Sequence, residues 1–401
     1  MISEKMLALG ESRSVIRDIS EFGAARAQEI GAENVFDFSI GNPSVPAPEK
    51  VNKTLSRLLE SMDSITLHSY TPAPGMMAAR AAAARSESRR AGFDIPAQSV
   101  YLTCGASSSL AITLRALVCP GDKIALLAPY FPEYKVFVEN AGAAEAVVIP
   151  PADLSMQPDI EKLKEAAESG IKAVIVNSPN NPSGAILSAE TLKTMADILT
   201  AASEKKGESI YIIADEPYRE LVYDGAQVPY VPGIYPNTVV CYSYSKSLSL
   251  PGERLGYIMV PPCAADSEKV FAAVCGAGRS LGYLCAPSLF QYMLAECADE
   301  MPDTAVYAKN RALLYGGLSE LGFECVKPDG AFYLFVKAPN GMSAAEFCEA
   351  AKRFELLLVP SDSFGVEGYA RVAYCVSEDV IRRSMPAFAK LALLAAGAAR
   401  I

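Results

Sequence analysis

Residues 242–257, YSYSKSLSLPGERLGY, place one lysine among small hydroxyl side chains at the end of an apolar run. Lys246 follows Ser243 and Ser245, and Arg254 comes eight positions later. The charge of a lysine is costly to desolvate, so a lysine at the end of a buried strand needs either a route to solvent or a reason to be neutral. A neutral amine is a nucleophile, and an arginine beside serines suits an anion.

A second group of residues that could bind an anion follows an earlier apolar run. Gly105 forms a turn, and Ala106 and Ser107 begin a helical pattern. Free backbone N–H groups and the helix dipole at such a point favour a phosphate group. Taken alone, the same residues also describe an ordinary turn and helix cap.

Three further runs end in side chains that could bind a ligand. Phe131 offers a flat apolar ring, although a core aromatic residue is the simpler interpretation. Asn181 lies in the proline-rich loop NSPNNPSG and could hydrogen-bond a ring substituent, or could belong only to a turn. Asp215 ends an apolar strand three residues before Tyr218 and is either a helix cap or a fixed negative charge facing a cationic ligand atom.

The elements that must position these residues alternate between short apolar runs and helical patterns. Near-continuous apolar runs followed by helices predict an open, mostly parallel α/β sheet covered on both faces. The last run follows its predecessor after about a dozen residues, too few for a crossover helix, so we predict that it is antiparallel. The seven runs are SVYLTCG, KIALLAP, EAVVIP, KAVIVNSP, SIYIIADEP, TVVCYSYS and LGYIMVP.

Ligands of open α/β sheets bind beyond the carboxyl ends of the strands, where all of these side chains should meet. Together they offer an anion site, a flat ring, an amide, a carboxylate and an amine. One ligand suits the set: an aromatic aldehyde with a phosphate group and a basic ring nitrogen, which is pyridoxal phosphate.

The sequence resembles the fold-type I aminotransferases of class I and II, whose signature around the cofactor lysine is matched by SYSKSLSLPGERLGY. The resemblance implies an α/β fold with a large domain, built on a mostly parallel seven-stranded sheet sandwiched by helices, and a smaller α+β domain. We expect an amino-terminal segment over residues 1–48, which packs with the small domain and a partner subunit. The large domain is expected over 49–283 and the small domain over 284–401.

The resemblance also implies roles for the strand-end residues. Lys246 matches the lysine that forms the Schiff base and then moves a proton during catalysis, and Asp215 matches the partner of the ring nitrogen. Asn181 and Tyr218 match the pair that hydrogen-bonds the cofactor's 3′-oxygen, and Phe131 takes the position of the ring-stacking aromatic. The residues that match the phosphate site are Gly105, Ala106, Ser107, Ser243, Ser245 and Arg254.

Other positions are matched to the substrate and to a second subunit. Arg371 in YARVAYCVS matches the arginine that binds the substrate α-carboxylate, and Gly41 lies in a matching entrance loop. Asn181 is expected to face the substrate as well. Tyr70 corresponds to a tyrosine that reaches the phosphate of the other subunit, which implies a homodimer with composite sites. Arg279 is a candidate to bind a side-chain carboxylate, or a structural ion-pair residue.

The implied activity is transfer of the amino group of an L-amino acid, with aspartate as the leading expectation, to a 2-oxo acid such as 2-oxoglutarate. A carbon-sulfur β-lyase of the same fold is the alternative, because the cofactor serves any carbanion. A cofactor-binding regulatory domain is less consistent with the acidic charge and the lack of an added DNA-binding domain.

Composition narrows the function further. The 36 Lys and Arg against 46 Asp and Glu give a net charge of −10, which disfavours nucleic acid and membrane surfaces as partners. Ten scattered cysteines without a Cys-x-x-Cys spacing are expected to be reduced, buried thiols. With His68 as the single histidine, we predict no metal site. The amino terminus lacks the pattern of a signal peptide, so a cytoplasmic protein is expected.

Overall fold

The computed structural model describes residues 2–11, 14–143, 145–395 and 397. The amino-terminal part contains seven helices and three strands. These elements are α1 (Glu4–Glu11), α2 (Val15–Ile30), β1 (Phe36–Asp37), α3 (Glu49–Ser61), α4 (Ser64–His68), α5 (Met77–Ala91), β2 (Val100–Thr103), α6 (Ala106–Leu117), β3 (Lys123–Leu127) and α7 (Glu133–Asn140).

The middle of the chain continues the alternation of strands and helices. Its elements are β4 (Glu145–Ile149), α8 (Ile160–Glu168), β5 (Ala173–Asn177), α9 (Ala189–Lys206), β6 (Tyr211–Asp215), α10 (Val231–Ile234), β7 (Thr238–Ser243), α11 (Tyr244–Ser247), β8 (Gly256–Met259) and α12 (Ser267–Leu281).

The carboxy-terminal part mixes helices with short strands. Its elements are α13 (Ser288–Cys297), α14 (Ala305–Glu320), β9 (Cys325–Val326), β10 (Tyr333–Lys337), α15 (Ala344–Lys352), β11 (Leu356–Leu357), β12 (Val359–Pro360), β13 (Tyr369–Ala373) and α16 (Glu378–Ala395).

Strands β2 to β8 form one seven-stranded sheet in the order β2-β8-β7-β6-β5-β3-β4. Strand β8 runs antiparallel to both of its neighbours, while the pairs among β3 to β7 are parallel. All seven strands predicted from the apolar runs are therefore confirmed, including the antiparallel orientation of the last one.

Helices cover both faces of this sheet. Alternate residues along a strand point to opposite faces, and in β6 Ile212 belongs to one apolar cluster and Ile213 to another. Helices α3, α5, α8, α9 and α13 contribute to the first cluster, and α6, α7 and α12 contribute to the second. This double cover explains why the strands are apolar on both sides.

A smaller four-stranded sheet has the order β12-β13-β10-β9, and helices α14 to α16 pack around it. Strand β1 pairs in parallel with β11, so the amino-terminal segment meets the carboxy-terminal part of the chain. Helix α13 packs with the core of the large sheet. The division at residues 48 and 283 remains a proposal, and the packing of α13 favours assigning that helix to the large domain.

Within the residues that the structure describes, none of the helices combines the length and apolarity that a membrane crossing requires.

Candidate active site

A cavity of about 310 Å³ opens beyond the carboxyl ends of the large sheet's parallel strands and extends to the small domain. It brings together most of the side chains that the sequence indicated. Those lining it are Gly41, Ala106, Ser107, Phe131, Asn181, Asp215, Tyr218, Ser243, Ser245, Lys246, Arg254 and Arg371. The convergence of five strand ends at one place is the arrangement that the parallel sheet predicts.

Lys246 lies on the short helix α11, directly after β7, and its side chain is partly buried in the cavity. Its Nζ donates a hydrogen bond to the carbonyl oxygen of Gly41 at 2.6 Å. The pKa of Lys246 is lowered to about 8, mainly by burial of the amine. Cys375 opposes this effect, and the positive charges of Arg371 and Arg254 contribute to the lowering. A substantial fraction of the amine is therefore neutral near physiological pH, as a nucleophile requires.

Asp215 ends β6 and is fully buried. Burial raises its pKa to about 7, although a hydrogen bond from the Tyr134 hydroxyl to Oδ2 opposes that effect. The other carboxylate oxygen, Oδ1, is buried without a hydrogen-bond partner. A carboxylate in this state is stabilised by a cationic partner, so Asp215 suits the protonated ring nitrogen of pyridoxal phosphate.

The end of the cavity formed by β2, β7 and Arg254 suits a phosphate group. The hydroxyls of Ser243 and Ser245 lie 2.8 Å apart, and Ala106 begins α6. The Arg254 guanidinium donates to the carbonyl oxygens of Pro251 at 2.8 Å and Cys104 at 3.2 Å. These contacts hold the guanidinium beside the helix N-terminus, where an anion is favoured.

Gly105 does not line the cavity but fixes its shape. It precedes α6 with a φ of +87°, and a Cβ atom there would come within 2.8 Å of Arg254 Nη2. A side chain at this position would therefore displace the guanidinium.

Arg371 lies on β13 of the small sheet and lines the cavity. Its Nη1 donates to Asn181 Oδ1 at 3.1 Å, and its Nη2 donates to the carbonyl oxygen of Ser39. Its Nε is buried without a hydrogen-bond partner. A substrate carboxylate would satisfy that donor, and the guanidinium offers the planar fork that carboxylates prefer.

Several cavity residues were missed by the sequence analysis. Tyr134 binds Asp215, Asn177 donates through Nδ2 to the Asp215 carbonyl oxygen at 2.9 Å, and the hydroxyls of Tyr333 and Tyr218 lie 3.0 Å apart. The signal for Tyr134 and Asn177 was present in PYFPEY and NSPNNPSG, where each stands near a residue that was selected. Tyr333 lies in the apolar run GAFYLFVKAP, which gives no sign that its hydroxyl faces a ligand.

Besides Gly105, two predicted residues lie outside the cavity of this chain. Tyr70, in the loop between α4 and α5, is 97% exposed. Arg279, near the end of α12, is also exposed and does not line the cavity. Neither residue is brought to Lys246 by the fold of one chain.

Residues 33–388 match the family model described as aminotransferase class I and II. The chain is 30% identical to the aspartate aminotransferase of Pyrococcus horikoshii over 96% of its own length and 95% of the relative's. It is 26% identical to aromatic-amino-acid aminotransferase 2 of Thermococcus litoralis, over 90% of this chain and 92% of that protein.

Solved structures agree with these sequence matches. An aminotransferase from Eubacterium rectale superposes with a TM-score of 0.96 at 50% identity, covering 98% of this chain and 99% of the other. The aspartate aminotransferase of Thermus thermophilus with maleate superposes with a TM-score of 0.85 at 25% identity over the same shares of the two chains. The protein therefore belongs to the class I and II aminotransferases, pyridoxal-phosphate-dependent enzymes of fold type I.

Proposed function

We propose that the cavity around Lys246 is the transamination site of this enzyme, with the residue roles expected from the sequence. The observation that carries the proposal is the geometry of three groups around one cavity: a partly neutral lysine amine, a buried carboxylate oxygen without a partner and an arginine with a free Nε. Each group matches one part of the cofactor or the substrate.

Bound pyridoxal phosphate supplies an electron sink that stabilises negative charge on the substrate α-carbon. In the proposed site Asp215 keeps the ring nitrogen protonated, and Arg371 orients the substrate through its carboxylate. The neutral amine of Lys246 then accepts the α-proton. Lys246 Nζ lies 2.6 Å from the carbonyl oxygen of Gly41. The amine therefore lies beside the loop that contains Gly41, where the substrate is proposed to bind.

The substrate side chain is proposed to extend from the main cavity into an adjoining one, past apolar side chains that line both. Ile16, Ile40 and Phe131 line both the main cavity and an adjoining one of about 460 Å³. The cations that line the main cavity, among the described residues, are Lys246, Arg254 and Arg371. Each of the three already has a proposed role, so the main cavity offers no further cation to a side-chain carboxylate. The adjoining cavity adds one cation, Arg17, together with the acidic residues Glu21 and Glu133.

We therefore favour donors with aromatic or branched aliphatic side chains over aspartate, the expectation from the sequence. One relative is named for aromatic amino acids and another for aspartate, so the names of the relatives do not distinguish between these donor classes. If aspartate is the donor, its second carboxylate needs a cation from outside the main cavity, such as Arg17 in the adjoining cavity or Arg279 of a second subunit.

A panel of L-phenylalanine, L-leucine, L-methionine and L-aspartate with 2-oxoglutarate tests this function. We expect glutamate formation without ammonia, and the highest kcat/KM for an apolar donor. In Ile16→Ala, kcat/KM for phenylalanine should fall about tenfold while that for aspartate changes little, because part of the apolar contact is lost. Ammonia release without glutamate would indicate the carbon-sulfur lyase, and a preference for aspartate would refute the proposed substrate class.

A homodimer with composite sites is also proposed. Tyr70 is nearly fully exposed, as a residue that completes the site of another subunit would be in a single chain. Exposed apolar side chains lie in the same region, at Ile65 beside it and at Tyr283 and Leu284 near α13. Hydrogen bonds from α13 to Leu67 and Thr71 join these two segments into one surface. A cytoplasmic location remains proposed from the composition and from ten unpaired cysteines.

A further inference from the structure

A buried ionic cluster lies behind the cavity, on the side of the sheet covered by α5. Its centre is Arg219, which is 5% exposed. We call it the Arg219 cluster. Its members come from α5, the turn after β6, strands β7 and β8, and helix α11: Glu87, Arg90, Glu216, Arg219, Glu220, Tyr242, Ser247 and Tyr257.

The Arg219 guanidinium uses all three of its nitrogens within the cluster. Nε donates to Glu220 at 2.8 Å, and Nη1 donates to Glu87 at 2.5 Å and to Glu216 at 3.1 Å. Nη2 donates to the Tyr257 hydroxyl at 2.8 Å, and the guanidinium lies 3.9 Å from the centre of the Tyr242 ring. A planar fork with five donors makes this set of contacts, which a lysine cannot reproduce.

Members of the cluster are direct chain neighbours of the proposed cofactor residues. In the turn 215–220, Glu216 follows Asp215 and Arg219 follows Tyr218. The planar peptide unit leaves only two soft dihedrals per residue, so anchoring one residue restricts the positions that its neighbour can take. Anchoring Glu216 and Arg219 on one side therefore limits the movement of Asp215 and Tyr218 on the other.

The cluster reaches Lys246 in the same way. The Tyr242 hydroxyl lies 2.8 Å from Glu220 Oε1 and 2.6 Å from the hydroxyl of Ser247, the residue after Lys246. Tyr242 has one proton to donate, and the carboxylate of Glu220 can only accept. That one proton can be donated to Glu220 or to Ser247 Oγ, so the Tyr242 hydroxyl contacts both the turn 215–220 and helix α11.

The charges of the cluster also affect the pKa of a cavity residue, Asp215. Glu87, Glu216 and Glu220 face Arg90 and Arg219, so one negative charge remains uncompensated within the cluster. Burial is the main cause of the raised pKa of Asp215, and the negative charge of Glu216 adds to it. Arg219 and Arg90 both pair with Glu216 and so reduce its effect on Asp215.

We propose that Arg219 is a positioning residue of the cofactor site, which holds the turn 215–220 and the segment 242–247 in fixed relation through carboxylates and Tyr242. The proposal rests on the proposed function, since it concerns the same site. Residues that support reacting groups in this way typically change affinity or activity by about 10-fold to 100-fold when they are altered.

The test uses cofactor binding and lysine reactivity, neither of which depends on turnover. The variants are Arg219→Lys, Arg219→Met and Ser247→Ala, prepared as apo-protein and titrated with pyridoxal phosphate. We expect Arg219→Lys to bind the cofactor about tenfold more weakly, because the charge remains and the fork is lost. Ser247→Ala removes the buried hydroxyl that contacts Tyr242. It should weaken cofactor binding by a smaller factor than Arg219→Lys does.

A second readout separates charge from geometry. The rate at which an amine reagent labels Lys246 in the apo-protein, followed by peptide mass spectrometry over a range of pH, reports the pKa of its amine. In Arg219→Met the lost positive charge leaves the nearby carboxylates less compensated, so the midpoint for Lys246 should move to higher pH. In Ser247→Ala the midpoint should stay in place, because no charge changes.

Arg311→Lys is the matched control. Arg311 is also buried, donates to the Pro328 carbonyl oxygen and to Asp224, and does not line the cavity. Its replacement should lower stability to urea without changing cofactor affinity or the labelling midpoint of Lys246.

Equal cofactor affinities in wild type, Arg219→Lys and Ser247→Ala would overturn the positioning role, even if the Arg219 variant unfolds more easily. If both Arg219 variants fail to fold, Ser247→Ala alone decides, and wild-type affinity in that variant overturns the proposal. A wild-type protein that binds no pyridoxal phosphate would instead refute the proposed function itself, which distinguishes the two failures.

Discussion

The amine of Lys246 donates a hydrogen bond to the carbonyl oxygen of Gly41 at 2.6 Å, across 205 positions of the sequence. This contact joins the end of β7 to the loop that follows β1. Ile40 and Gly41 line the cavity, so the loop forms one wall of the space in which the lysine would react, and we expect its backbone to lie within reach of a bound substrate.

Replacement of Gly41 by alanine should disturb that wall. A Cβ atom at Gly41 would lie 1.9 Å from the Tyr333 hydroxyl, so either the loop or the tyrosine must move. We expect kcat/KM to fall by at least about tenfold, since small misplacements of reacting groups are costly. Gly276→Ala, on helix α12 with open space around its Cβ, is the control and should keep full activity. Wild-type kinetics in Gly41→Ala would show that the loop does not shape the site.

The raised pKa of Asp215 should be visible in the pH dependence of the free energy of unfolding. In the apo-protein its pKa is raised from 3.8 to about 7, mainly by burial. Between these pH values the folded state binds more protons than the unfolded state. The stability that protonated Asp215 contributes is therefore complete below about pH 4 and is lost as the pH rises through 7.

Asp215→Asn should remove this dependence. Urea unfolding of the apo-proteins at pH 5 and pH 8 is the measurement, and the wild type should lose about 2 to 4 kcal/mol more than the variant between the two values. Identical losses in the two proteins would contradict a raised pKa for Asp215.

Arg371→Lys separates substrate binding from cofactor binding. The lysine keeps the positive charge but loses the planar fork whose Nε is left free for a carboxylate. We expect kcat/KM to fall about 10-fold to 100-fold, as for the loss of a charge-assisted hydrogen bond, with unchanged affinity for pyridoxal phosphate. Weaker cofactor binding together with an unchanged kcat/KM would contradict this assignment, because it would indicate that Arg371 supports the cofactor and not the substrate.

Composite sites can be tested by mixing two defective subunits. Lys246→Ala and Tyr70→Ala should each have little activity alone when the cofactor is limiting. If Tyr70 completes the neighbouring site, refolding the two variants together creates dimers in which one site contains both native residues, and activity should return. Failure of the mixture to recover activity, with dimers detected by light scattering, would exclude this role for Tyr70.

The sequence predicted the large sheet because its strands are covered on both faces and are apolar throughout. It also predicted the strand-end ligands, since parallel strands bring their carboxyl ends to one edge. Tyr333 and Ile16 could not be predicted from this pattern. They reach the cavity from β10 and α2, where long-range packing decides which side chain faces it. The Arg219 cluster was hidden for the same reason, because Glu87 and Arg219 are separated by 132 positions.

The most direct test of the central claim is borohydride reduction of the protein incubated with pyridoxal phosphate, followed by peptide mass spectrometry. The partly neutral amine of Lys246 should carry the cofactor, and Lys246→Ala should carry none on the corresponding peptide. Attachment to a different lysine, or no attachment in the wild type, would contradict the assignment of Lys246 as the residue that binds the cofactor.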